Sequence, residues 1–329
     1  MLISALAKIW LPGDFPPEAF FVSRTVVQLS KYENKQKCCS PISPHLGYFQ
    51  PAVVTNAMVT NELKLSSSGD RMLAVLSLFT IDRSEWTVDV AAEELGVSAT
   101  TAYRYFKRLT NAGLLSPVSR ASYVLGPAIV QMDRQIQICD PMLRAGRTVM
   151  KDLIRYATEG SVLLLCRLFH DRVMCVHQVA GRGPLEPVSF ERGRLIPLFL
   201  GATSKIILAH LPPRTLKSLF MQNAVAIADS GLGNTWDEFR QRLSTLRRDG
   251  AAVARGELDP GRVGIAAPIF EGHSILGSLS FLLPAERTDD TLIGRLAPLT
   301  IAGAREIERA MSQQAAAATA SPARVRVAR

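Results

Sequence analysis

Hydrophobic residues first fall into a regular rhythm at Asp70. In DRMLAVLSLFT, Leu73, Leu76 and Phe79 recur at helical spacing, which predicts a helix with Asp70 near its N-terminus and that stripe turned inward. TVDVAAEELG predicts a second helix, capped by Thr87, with Val90, Ala91 and Leu95 inside and Gly96 as the stop. A third follows in GVSATTAYRYFKRLTNAGLL, capped by Ser98, with Ala102, Phe106 and Leu109 inward. Two helices joined by a short turn containing glycine make a helix-turn-helix. Beyond Gly113, the apolar runs Leu114 to Leu115 and Tyr123 to Leu125 flank a Ser/Pro/Arg turn, which predicts a small hairpin, or wing.

The next pattern is helical again to about Ile138, and Pro141 opens another helix ending near Gly160. SVLLLCRLFHDRVMCVHQVAG then predicts two strands around Asp171 and Arg172. GATSKIILAHL opens a helix at Gly201 to Thr203, and NTWDEFRQRLSTLRRDG predicts an amphipathic one with Trp236, Phe239, Leu243 and Leu246 inward. Two more strands flank Glu271 to His273, and a closing helix runs from Asp289 to Met311. Hairpin-paired strands with helices between them give an α+β class built on an antiparallel sheet. The resulting division is a poorly structured extension over 1–66, a winged helix-turn-helix over 67–126, a linker helix over 127–138, a second domain over 139–313 and a disordered, Ala-rich tail over 314–329. Met58 is an alternative start, just ahead of the first strong pattern.

Composition narrows this picture. The 329 residues, 47% of them hydrophobic, can build two cores. The N-terminal MLISALAKIWLPGDFPPEAFF is interrupted at Pro12 and Asp14, too early for a spanning helix or a secretory signal, so a cytoplasmic protein with no membrane partner is expected. Five cysteines (Cys38, Cys39, Cys139, Cys166, Cys175) with no CxxC pair argue against a disulfide framework and against a structural zinc. No metal or other cofactor is expected.

Charge changes the picture more through its placement than through the net +9. From Ser98 to Arg120 stand four cations, Arg104, Lys107, Arg108 and Arg120, and no acid. Asp82 to Glu94 carries five acids and one arginine. The second helix of the pair and its wing therefore concentrate the positive charge. Such a helix, about 10–12 Å across, fits the DNA major groove. There arginine reaches guanine O6 and N7, threonine meets a thymine methyl and lysine holds phosphate. Ser98, Thr100, Thr101, Tyr103, Arg104, Lys107, Arg108 and Arg120 are the candidate DNA-binding residues.

RMLAVLSLF, LGVSATTAYRYFKRLTNAGLL with YVLGP, GRLIPLFLGATSKIILAHLP, and RGELDPGRVGIAAPIF with LGSLSFLLP together resemble the IclR family of bacterial transcriptional regulators, in the family's order over about 70 to 310. The resemblance implies a winged helix-turn-helix, a linker helix, a GAF-like effector-binding domain, and homodimers or homotetramers. It also implies a double-stranded DNA operator and a small organic acid effector from carbon metabolism, often aromatic.

The family's effector loop, of the form His-Ala-(Ser/Thr)-x-x-Gly-Lys, corresponds to FLGATSK, with Phe199 in place of His and Ser204 in place of Gly. Ala202 and Thr203 fall where relatives present N–H groups to the effector. A loop turning into a helix independently offers unpaired N–H donors and a positive dipole end to a carboxylate. Glu257, Asp259, Pro268, Ser280 and Leu282 fall at the family's other pocket positions. Two acids would repel an anionic ligand, so Glu257 is expected to accept from an effector hydroxyl or from backbone N–H groups. Pro268, Leu282 and Phe199 suit a less polar effector than the smallest keto acids.

Two other readings carry less. Cys175 and His177 share a strand face with His170 near the turn, but no fourth ligand lies at metal-binding spacing. Ser204 next to Lys205 has neither the Ser-x-x-Lys spacing nor a nucleophile elbow around it. The alternative to a regulator is a small-molecule-binding or hydrolytic GAF-like protein whose helix-turn-helix makes protein contacts.

Overall fold

The computed structural model describes residues 67–119, 121–184 and 188–320; the extension over 1–66, including Met58, lies outside them. The chain begins with α1 (Ser68–Ser77), where Ser67 and Asp70 exchange side-chain-to-backbone hydrogen bonds as a capping box. That cap fixes the phase of the helix. Ala74, Val75 and Leu78 turn inward, while Leu73, expected inside, is 58% exposed; Leu76 and Phe79 are only partly buried. A strict spacing of three drifts around a helix of 3.6 residues per turn, which is why the observed stripe is rotated from the one the sequence predicts.

Strand β1 (Trp86–Thr87) leads into α2 (Val88–Glu94), capped by Thr87 and closed at Gly96, whose φ of 62° favours glycine. Ala91 and Leu95 are buried as expected, but Val90 is exposed. Helix α3 (Ala99–Asn111) is capped by Ser98 and buries Ala102, Tyr105, Phe106 and Leu109. The wing pairs β2 (Leu115–Pro117) with β3 (Ser122–Leu125), and β1 adds a third antiparallel strand on the other edge of β3. β1 is too short to show a period of two in the sequence. Tyr123 of β3 packs edge-on against Phe106 of α3, with ring centroids 5.0 Å apart, so the wing is seated on the helix it flanks. Gly126 then turns the chain away from the wing. A Cβ there would lie 2.2 Å from the carbonyl oxygen of Gly113, so only glycine allows this approach.

Helix α4 (Pro127–Cys139) ends one residue past the expected boundary, and Asp140 caps α5 (Pro141–Leu153). A short 3₁₀ turn over Ile154–Tyr156 ends that helical run before Gly160. The second sheet is antiparallel in the order β6-β5-β4-β9-β8-β7. Its strands are β4 (Val162–Phe169), β5 (Arg172–Ala180), β6 (Leu195–Pro197), β7 (Ala252–Arg255), β8 (Arg262–Glu271) and β9 (Ser274–Pro284).

Period-two alternation sends Leu163, Leu165, Ile265 and Leu279 to one face, under α5 and the closing helix α10 (Asp290–Ala320). Leu164, Cys166, Cys175 and Ala266 go to the other face, under α6 (Gly201–Ala209) and α9 (Trp236–Asp249). The short helices α7 (Pro213–Gln222) and α8 (Ala224–Asp229) join α6 to α9. Phe239 and Leu243 are fully buried, with Trp236 and Leu246 packed around them. α10 does not stop near Met311: it runs to Ala320, through part of the segment expected to be a disordered tail. Alanine is the best helix former, so its repetition there extends the helix. Residues 321–329 lie outside the described chain.

Candidate functional site: a cationic helix face and a small cleft

On α3, Thr100, Tyr103, Arg104, Lys107 and Arg108 are exposed, at spacings of three and four that align them on one face opposite Phe106 and Leu109. Tyr103 is 54% exposed, a large aromatic ring left in water beside three cations. No hydrogen bond or ion pair holds the side chains of Arg104, Lys107 or Arg108 among the described residues. Ser98 and Thr101 are placed differently. Their hydroxyls lie 2.9 Å apart, and Ser98 Oγ accepts from the Thr101 N–H, so both are engaged in capping the helix. Arg120 lies outside the described residues.

The second site forms where β8, β9 and the 255–262 turn meet the start of α6. Leu200 occupies the N-cap position of α6 and has no side-chain group to cap it. The cap comes from Glu257 instead: Gly201 N–H donates to its Oε2 at 2.9 Å, and Lys205 Nζ donates to its Oε1 at 2.7 Å. Lys205 also donates to the Ser230 carbonyl at 3.0 Å. The pair is mostly shielded, with side chains 12% and 26% exposed, and a carboxylate at the positive end of a helix gains from the dipole as well. Gly201 has φ 78°, so the entry into α6 favours glycine, and a Cβ on it would also crowd the Leu258 side chain at 3.0 Å.

Beside this cap is a cleft lined by Leu164, Phe190, Ala202, Thr203, Leu258 and Leu282 among others. It is open to solvent on one side and small, with a free volume of about 20 Å³, room for about one water molecule. Of the residues expected from the sequence, Ala202, Thr203, Glu257, Asp259 and Leu282 line it. Ser280 sits one layer behind, buried and accepting from Thr203 Oγ1 at 2.9 Å. Phe199 and Pro268 do not line it; Phe199 packs against the core under α6, and Pro268 lies farther along β8, opposite Ser278. Asp259 accepts from the Ser189 N–H at 3.0 Å and also from the Ser189 hydroxyl.

Among the lining residues that sequence reading missed, Arg262 and Phe190 bear most on the chemistry of the cleft. Arg262 is 5% exposed at the start of β8, with Nη1 donating to the Gly160 carbonyl at 2.7 Å. Phe190 arrives from a loop far away in the chain. An arginine directly after DPG in a turn carries no local sign of burial, and nothing in VSFERGR marks its aromatic as part of a cleft.

The weaker readings find no support in the geometry. Ser204 is fully buried in α6, and its hydroxyl has no hydrogen-bond partner among the described residues, while Lys205 points to Glu257 and Ser230. That is no nucleophile with an amine base. Cys175 is a fully buried core residue, whereas His170 is exposed. Burial first, and then the nearby Arg147, Arg192 and Lys151, push the imidazole of half-buried His177 below its ordinary pKa. No described helix is long and apolar enough to cross a membrane.

Comparison with known proteins finds a family model for each of the two parts of the chain. The model of the bacterial transcriptional regulator IclR C-terminal domain matches residues 141–309, and that of the IclR helix-turn-helix domain matches residues 68–119. The HTH-type transcriptional regulator KipR of Bacillus subtilis is 24% identical over 200 residues, 61% of this chain and 78% of its own. An HTH-type transcriptional regulator of Mycobacterium tuberculosis is 30% identical over 198 residues, 59% and 73% of the two chains. Among solved structures, an IclR transcriptional regulator from Alicyclobacillus acidocaldarius shares the fold with a TM-score of 0.62 at 21% identity, covering 74% of this chain and 98% of that one. An IclR homologue from Microbacterium hydrocarbonoxydans, complexed with 4-hydroxybenzoate, does so with a TM-score of 0.59 at 18% identity, covering 75% and 100%. These families are regulators and not enzymes, which removes the hydrolytic alternative. With the family's helix-turn-helix and C-terminal domains both matched in order along it, the chain belongs to the IclR family of bacterial transcriptional regulators.

Proposed function

We propose that this regulator binds a double-stranded operator through the exposed face of α3 and that a small organic acid with an apolar, preferably aromatic, body tunes that binding from the α6 cleft. The observation that carries the effector reading is the cleft itself. Leu164, Phe190, Leu258 and Leu282 wall an apolar space that ends at the first turn of α6, where the N–H groups of Ala202 and Thr203 and the helix dipole favour an anion. Arg262 adds a buried cation to the same wall. The 4-hydroxybenzoate held by the Microbacterium homologue supports this ligand class.

Glu257 now holds the end of α6, so the incoming carboxylate displaces it and the cleft widens to take the ring. Thr203→Asp places a fixed negative charge at the same spot. Calorimetric titration of the full chain with 4-hydroxybenzoate is expected to give saturable heat that Thr203→Asp abolishes. Equal affinity in the variant would place the acid elsewhere.

The chain acts on DNA as a homodimer or homotetramer. This reading rests on α4, which buries none of its own residues and exposes Val130, Met132, Ile136 and Ile138. A helix that leaves most of its apolar side chains in water is stabilised when a second copy covers them.

A further inference from the structure

The segment from Val188 to Arg194 touches both the cleft and the linker helix within a few residues. At its cleft end, Val188 and Phe190 are buried in the core under α6, Phe190 lines the cleft, and Ser189 is held by Asp259 through both its N–H and its hydroxyl. At its other end, the Arg192 guanidinium pairs with Asp133 of α4, while its Nε donates to the Val176 carbonyl at 3.0 Å. The Gly193 N–H donates to the Cys175 carbonyl at 2.8 Å and anchors the segment on β5. Ser189 and Arg192 are three residues apart, so at most about 11 Å of extended chain separates the cleft from the linker. A displacement of Asp259 or Phe190 has little slack to be lost in.

We infer that this strap is the mechanical link from cleft to DNA-binding domain: Asp259 and Phe190 set the position of Ser189, and Arg192 passes that position to α4 through Asp133. It deepens the effector reading and rests on it for what moves Asp259, but not for the link itself. Both partners of the Arg192–Asp133 pair are partly exposed, with side chains 41% and 44% accessible. Pairs of this kind change local stability modestly, so a bias of up to about fivefold is expected from it.

The test needs neither effector nor operator. Amide hydrogen exchange of the full chain is measured for the parent, Asp259→Ala, Arg192→Ala and the double variant, with Ser189→Ala as a milder change at the cleft end. The expected result is that Asp259→Ala and Ser189→Ala speed exchange in residues 127–139 by up to about fivefold, Arg192→Ala does the same, and the double variant exchanges no faster than Arg192→Ala alone. Amides of α9, away from the strap, stay as in the parent. Unchanged exchange in α4 when Asp259 or Ser189 is altered overturns the link, as does an additive double variant or loosening that reaches α9 equally. None of those results would touch the binding of an acid in the cleft, which the calorimetric titration reads separately.

Discussion

Arg104 and Lys107 stand one turn apart on the exposed face of α3, and in the proposed function the chemistry of their two head groups separates their tasks. A planar guanidinium reads guanine by two parallel hydrogen bonds, whereas an ammonium is a point charge suited to phosphate. Arg104→Ala should cost about 1–3 kcal/mol on the operator and relax sequence preference. Lys107→Ala should weaken all duplexes alike and reduce the log-log salt slope by roughly one. Binding isotherms across a salt series check both, and equal, sequence-blind losses would refute the division. His177 and His210 give a second residue-scale expectation. Burial is the main cause lowering both in the fold, so the unfolded chain takes up a proton more readily. Their contribution to stability is whole above the unfolded pKa near 6.5 and is lost as pH falls below it. The melting temperature should therefore drop between pH 7.5 and 5.5, and less steeply in His177→Gln. An identical slope in that variant would remove His177 from the account.

At the scale of elements, what the sequence disclosed depended on how locally each element is determined. The caps at Ser98 and Thr87, the stop at Gly96 and the inward Ala102, Phe106 and Leu109 were legible because the signals lie within one or two turns of chain. The phase of α1 was not, since Ser67 and Asp70 set it from the edge of a polar run that shows no periodicity of its own. The cleft was half legible. Ala202 and Thr203 announce themselves at a helix start, but Phe190 and Arg262 enter only through sheet register and a long loop. The cap of α6 by Glu257 spans 56 positions and has no local trace. Linker helix α4 makes a prediction of its own. If a second copy covers Met132 and Ile136, changing both to Glu should halve the mass seen by sedimentation while leaving the secondary structure intact. An assembly unchanged by that double charge would move the interface elsewhere.

The whole molecule carries two candidate sites with opposite electrostatic character. In the proposed function a cationic face meets a polyanion, and a small cleft keeps its own carboxylate, Glu257, at the helix end until an effector's replaces it. Linkage requires that an acid which changes operator affinity by some factor be itself bound more or less tightly by that factor when DNA is present. The most direct measurement is operator affinity with and without 4-hydroxybenzoate, for the parent and for Thr203→Asp, on a duplex recovered by selecting random sequences with the full chain. The acid is expected to shift the parent's affinity severalfold, and Thr203→Asp to bind the same duplex as tightly as the unliganded parent but no longer respond. A response that survives in Thr203→Asp, or a parent that binds the acid and shows no shift, would contradict this expectation.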